Sequence, residues 1–123
     1  MTLGEVLKAA IAEFDRKRVP ASRLTAEVLL AHCLGVDRVH LVAHDNDSIR
    51  PDRAERYRDS VRRRLVGEPL QYITGIQEFY GRDFKVDSNV LIPRPETEFV
   101  VDTVKELNRS NQPRIIDVGT GSG

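Results

Sequence analysis

The chain is 123 residues long, with 40% hydrophobic and 31% charged residues. That suffices for one modest core and is too short for two full domains. Lys and Arg number 19, matched by 19 Asp and Glu, so no overall field favours nucleic acid or an anionic membrane as the main partner. No run approaches the roughly 18 apolar residues of a bilayer span. An acidic amphipathic helix begins directly after Met1, unlike a signal peptide, so the expected location is cytoplasmic with no membrane partner. The single Cys33 has no second thiol for an internal disulfide or a zinc site, which fits a reducing compartment.

Thr2-Leu3-Gly4-Glu5 reads as a capping box, and Leu3, Val6, Leu7, Ala10, Ile11 and Phe14 follow at helical spacing on one face. Pro20 and Ser22 restart the chain into a second, more buried helix carrying Leu24, Val28, Leu29, Ala31 and Leu34, with Gly35 placed to stop it. Asp37 can cap a short third helix through Val42. After the polar loop Asp45-Asn46-Asp47-Ser48, Pro51 suits a first helical position, and Ala54, Tyr57, Val61 and Leu65 form a narrow apolar stripe ending at Gly67. A further turn from Pro69 to Ile73 closes an expected helical bundle over residues 1–75.

From Gly75 the texture changes to aromatic and β-branched residues. Phe79-Tyr80, a turn at Gly81-Arg82, then Phe84 and Val86 in alternation predict a β-hairpin linker over 76–94. Val90-Leu91-Ile92 reads as a further extended piece. Glu96 to Leu107 reads as a helix with Phe99, Val100, Val104 and Leu107 inward. Ile115-Ile116-Asp117-Val118 then predicts a short buried strand ending at Gly119.

That strand runs into Gly119-Thr120-Gly121-Ser122-Gly123, the kind of loop with which open α/β sheets bind ligands at the carboxyl end of a strand. Glycines there let the backbone turn tightly and bring N–H groups close to a ligand. A dinucleotide fingerprint needs Gly-x-Gly-x-x-Gly; the spacing here, with Asp117 two positions before the first glycine, instead resembles the first motif of class I methyltransferases.

Three further segments sharpen the resemblance. Gly67-Glu68-Pro69-Leu70-Gln71-Tyr72-Ile73-Thr74-Gly75, then Phe79-Tyr80-Gly81, then Val90-Leu91-Ile92-Pro93-Arg94-Pro95-Glu96-Thr97-Glu98 look like the HemK/PrmC family, the peptide chain release factor glutamine N(5)-methyltransferases. The resemblance covers the whole chain. It implies an α+β arrangement: an N-terminal all-α release-factor-recognition domain (1–75), the hairpin linker (76–94), and over 95–123 the start of a Rossmann-like class I methyltransferase α/β domain. It implies S-adenosylmethionine as cofactor, held by Gly119, Thr120, Gly121, Ser122 and Gly123, with Asp117 ordering the loop or facing the ligand's ammonium and Arg94, Thr97 or Glu98 in support. It also implies release factors as protein partners, with ribosome association and no direct DNA binding.

The implied reaction is methylation of the Gln side-chain amide in a release factor's Gly-Gly-Gln loop. In the family an Asn-Pro-Pro-Tyr motif grips that amide. No such motif occurs among these 123 residues, so no catalytic residue is assigned and the chain alone is expected to be inert. Two rivals stand beside this reading: a non-catalytic helical module that docks a release factor, and a methyltransferase acting on another amide or amine. The expected strand at 115–118 would have unpaired edges and exposed apolar surface, so residues past about 95 are expected to be disordered or sticky in isolation.

The remaining candidates have plainer readings. His40 and His44 sit four apart, but no carboxylate or thiol is placed to complete a metal set. His32 and Cys33 read as a packed helical pair. Arg56, Arg58, Arg62, Arg63 and Arg64 form the basic cluster, by default a solvated face and alternatively a docking surface. Glu96 and Glu98 suit the start of a helix, where carboxylates complement the dipole.

Overall fold

The computed structural model describes residues 1–123. The chain divides into two units, Met1–Thr74 and Gly75–Gly123. The first holds five helices: α1 (Leu3–Arg16), α2 (Ser22–Leu34), α3 (Arg38–Ala43), α4 (Pro51–Leu65) and α5 (Leu70–Thr74).

The start of α1 is capped twice over. The reciprocal box is present: Glu5 N–H donates to Thr2 Oγ1 at 3.2 Å, and Thr2 N–H donates to Glu5 Oε2 at 3.0 Å. A helix leaves its first four N–H groups without intrahelical partners, and here the polar loop after α3 returns to supply two acceptors. Leu3 N–H donates to the Asp47 carbonyl at 2.9 Å and Gly4 N–H to the Asp45 carbonyl at 2.8 Å, while Ile49 N–H donates to the Met1 carbonyl at 3.0 Å. The approach is close enough that a Cβ on Gly4 would stand 3.1 Å from the Asp45 oxygen.

The core centres on α2, which packs against α1, α3, α4 and α5. A helix enclosed by neighbours is buried around much of its circumference, and Ala26, Leu29, Leu30 and Cys33 all lie inside with Phe14 of α1. Leu24, expected inward, is exposed at the first turn. Tyr57 of α4 is buried and donates its hydroxyl to the Ala26 carbonyl at 3.0 Å, which satisfies the one polar atom of an otherwise apolar insertion. Asp37 caps α3 through its side chain, and Gly35 ends α2 at φ 71°.

One charge is buried in this unit. Glu27 of α2 has a side chain only 7% exposed, with Arg38 Nη2 at 2.7 Å and Arg23 Nε at 3.0 Å from its oxygens. The Arg38 guanidinium, helped by Arg23 and opposed by desolvation, holds the Glu27 carboxyl below the usual glutamate range.

In the second unit, β1 (Ile76–Phe79) and β2 (Arg82–Lys85) form an antiparallel hairpin in which Phe79 faces Arg82 and Ile76 faces Lys85. Tyr80 and Gly81 make the turn at φ 52° and 75°, both left-handed, as a type I′ hairpin loop requires. Phe79 and Phe84 meet edge to face with ring centroids 6.2 Å apart. Val86 and Ile92 are buried. A 3-10 turn (Pro95–Thr97) leads into α6 (Glu98–Leu107).

Val90–Ile92 belongs to neither strand. Here the structure corrects two expectations. Phe99, Val100, Val104 and Leu107 do not face inward: they are 71%, 60%, 40% and 73% exposed. Ile115–Val118 forms no strand, and Ile116 and Val118 are each 89% exposed. The causes are the same. A strand exists by hydrogen bonding to a neighbour, an amphipathic helix buries its face only against another layer, and the sole sheet is the two-stranded hairpin. The Rossmann-like α/β layer expected over 95–123 is therefore not formed; its first helix and glycine loop are present without a sheet between them.

Candidate functional site

The glycine loop does not stand alone. Asp117 and Gly119 to Gly123 line an open cleft of about 250 Å³ together with Phe79 and Phe84 of the hairpin and the strap Leu91–Arg94 and Thr97. Gly119, Gly121 and Gly123 adopt φ values of 75°, 65° and 103°, a left-handed run that L side chains rarely tolerate. Nothing lies within 4 Å of where a Cβ would sit on any of the three, so backbone conformation rather than crowding demands glycine there.

Of the residues singled out in the sequence, Gly119, Thr120, Gly121, Ser122, Gly123, Asp117, Arg94 and Thr97 come together in this cleft. Glu98 does not line it; its carboxylate accepts the Tyr80 N–H at 2.6 Å. Phe79 and Phe84 were not foreseen as lining residues, although their alternation along one face of the hairpin was the available signal. The cleft offers backbone donors, one carboxylate, one unpaired guanidinium and an aromatic edge, a set suited to a small zwitterionic ligand with an apolar portion.

The basic cluster is largely engaged within its own unit. Arg62 pairs with Asp59 at 2.6 Å. Arg63 forks onto Glu68 at 2.6 and 2.5 Å and holds that carboxyl below its ordinary range, and Arg64 donates to the Glu68 carbonyl at 3.3 Å. Arg58 and Arg62 border an apolar groove of about 440 Å³ between α1 and α4, floored by Val6, Ala10, Tyr57 and Val61. His40 and His44 stack at 3.9 Å, and His44 Nδ1 lies 3.0 Å from the His40 carbonyl; no third metal-ligating side chain joins them. Cys33 is buried, its Sγ 3.7 Å from Ser60 Oγ.

An all-helical domain followed by a segment that carries a glycine-loop cleft is the class these features define. The model of the PrmC N-terminal domain family matches residues 5–75, more than half of the chain, and the chain belongs to that family. Three curated relatives, each called release factor glutamine methyltransferase, are similar over nearly all of it. The one from Koribacter versatilis is 46% identical over 124 residues, covering 100% of this chain and 44% of the relative. That from Chlorobaculum tepidum is 45% identical over 125 residues, covering 97% and 42%, and that from Deinococcus radiodurans is 40% identical over 124 residues, covering 100% and 45%. The chain thus spans less than half the length of the relatives it matches. No helix is long and apolar enough to cross a membrane.

Proposed function

We propose that this chain is the N-terminal part of a release factor glutamine methyltransferase that uses S-adenosylmethionine, working in the cytoplasm on release factors, free or on the ribosome. The observation that carries the reading is similarity along the whole of this chain to part of proteins of that name, with the glycine loop falling inside a cleft. The helical unit serves release-factor recognition. Residues 75–123 supply half of a cofactor site.

The residues present fit the amino-acid portion of the cofactor. Its α-carboxylate suits the N–H groups of Gly119 to Gly123, and its ammonium suits the Asp117 carboxylate. Phe79 and Phe84 supply an apolar wall for the rest. When bound, the cofactor supplies an electrophilic sulfonium methyl. A Gln amide nitrogen is a weak nucleophile because its lone pair is delocalised, so the reaction needs position and desolvation more than a strong base. No group in these 123 residues grips that amide, and the chain alone is inert in this reading.

A chimera tests it: residues 1–123 replace the matching segment of the Koribacter versatilis relative, and methylation of a release factor's Gly-Gly-Gln peptide is followed by mass spectrometry. The expected result is one methyl group on the Gln with the chimera and none with the 123-residue chain. A folded chimera that binds the release factor without modifying it would replace the enzyme reading by that of a docking module.

A further inference from the structure

The hairpin turn carries a strained residue. A two-residue turn with both central residues left-handed is served by Asn-Gly or Gly-Gly, yet Tyr80 occupies the first position at φ 52°, which a bulky side chain disfavours. Such an outlier persists where its surroundings hold it. Here they do. Tyr80 N–H donates to Glu98 Oε1 at 2.6 Å, its hydroxyl donates to Asp102 Oδ1 at 2.6 Å, and Gly81 N–H donates to Glu78 Oε1 at 2.6 Å. Lys105 Nζ donates to the Tyr80 hydroxyl oxygen at 3.3 Å and stands 5.2 Å from the ring centroid. Glu98, Asp102 and Lys105 share one face of α6 at helical spacing. Since α6 buries none of its residues, these polar bonds rather than a packed apolar face fasten the turn to the helix.

We infer that Tyr80, Glu98, Asp102 and Lys105 form a positioning clip for the glycine-loop cleft, an inference that rests on reading that cleft as the cofactor site. Phe79 directly precedes Tyr80, and Thr97 directly precedes Glu98; both line the cleft. The Tyr80–Glu98 bond therefore joins the neighbours of two lining residues and fixes the aromatic edge relative to the strap. A glycine at position 80 would relieve the strain, but it would remove the ring and hydroxyl that reach Asp102 and Lys105.

The test uses the full 123-residue chain and solution NMR. In the wild type the Tyr80 amide proton should be shifted downfield and exchange slowly, and the Lys105 side-chain resonances should be displaced from free-lysine values by the contact with Tyr80. Glu98→Ala combined with Asp102→Ala removes both acceptors and should abolish both signatures and move the Phe79 and Phe84 resonances. It should also weaken S-adenosylmethionine binding by about threefold or more, the worth of one partly exposed charge-assisted bond. Tyr80→Phe should keep the amide signature and show an intermediate loss of affinity. Glu106→Gln, on the same helix outside the clip, should change none of these. Wild-type signatures that are absent, or Phe79 and Phe84 resonances unmoved in the double variant, would overturn the clip. A wild type with intact signatures but no cofactor-induced shifts would instead refute the cofactor reading, and the phenylalanine resonances would still decide on the clip.

Discussion

Replacing Glu27 by Gln removes the one buried charge of the helical unit while keeping its shape and one acceptor oxygen. Hydrogen bonds to a charged group contribute about 1.5–3 kcal/mol. Arg38 and Arg23 are themselves 51% and 76% exposed, so water screens part of the interaction, and the expected loss is about 1–2 kcal/mol. For a unit of this size that is a fall in Tm of about 4–16 °C. The dependence on pH distinguishes this cause from a packing defect. The Glu27 carboxyl titrates below the ordinary range when folded, so its contribution is fully present above the unfolded value of about 4.3. It is lost as pH falls through the folded value. Urea unfolding of wild type and Glu27→Gln at pH 7 and near pH 3 should therefore show a gap in midpoint that narrows in acid. An equal gap at both pH values, or none at pH 7, would refute the assignment of stability to this ion triad.

Burial pushes the Tyr57 phenol above the ordinary tyrosine range, so in an alkaline absorbance titration the last tyrosine component should vanish in Tyr57→Phe, with about 1 kcal/mol of stability lost with the bond to the Ala26 carbonyl. Gly4→Val should cost about 1–3 kcal/mol by forcing the Asp45 carbonyl away from the start of α1, measured as a lowered urea midpoint.

The features legible in the sequence are those specified by neighbours along the chain. The Thr2–Glu5 box, the Asp37 cap and the Gly35 stop each depend on residues within one turn, and each is present. The hairpin followed from aromatic alternation around Gly81. What failed depends on distant partners. Ile115–Val118 has strand composition but no strand to pair with, and the apolar face of α6 has no layer to cover it. The burial of Glu27 is not legible along the chain although Arg23 stands four residues before it, because its stronger partner, Arg38, lies 11 residues away beyond a helix end. The cleft was half legible: glycine spacing marked the loop, whereas the part played by Phe79, Phe84 and the Tyr80 turn depends on how hairpin and strap fold toward it.

The return of the loop to α1 has a consequence for synthesis, because a chain emerges from the ribosome N-terminus first. Helix α1 is made before α2 and α3, but the carbonyls of Asp45 and Asp47 that satisfy Gly4 and Leu3, and the Ile49 amide that engages Met1, come more than 40 residues later. Until then the leading end of α1 depends on the Thr2–Glu5 box and on water. The ring of three helices closes only once residues 45–49 have cleared the ribosome, and Met1–Gly4 become fixed only when it shuts.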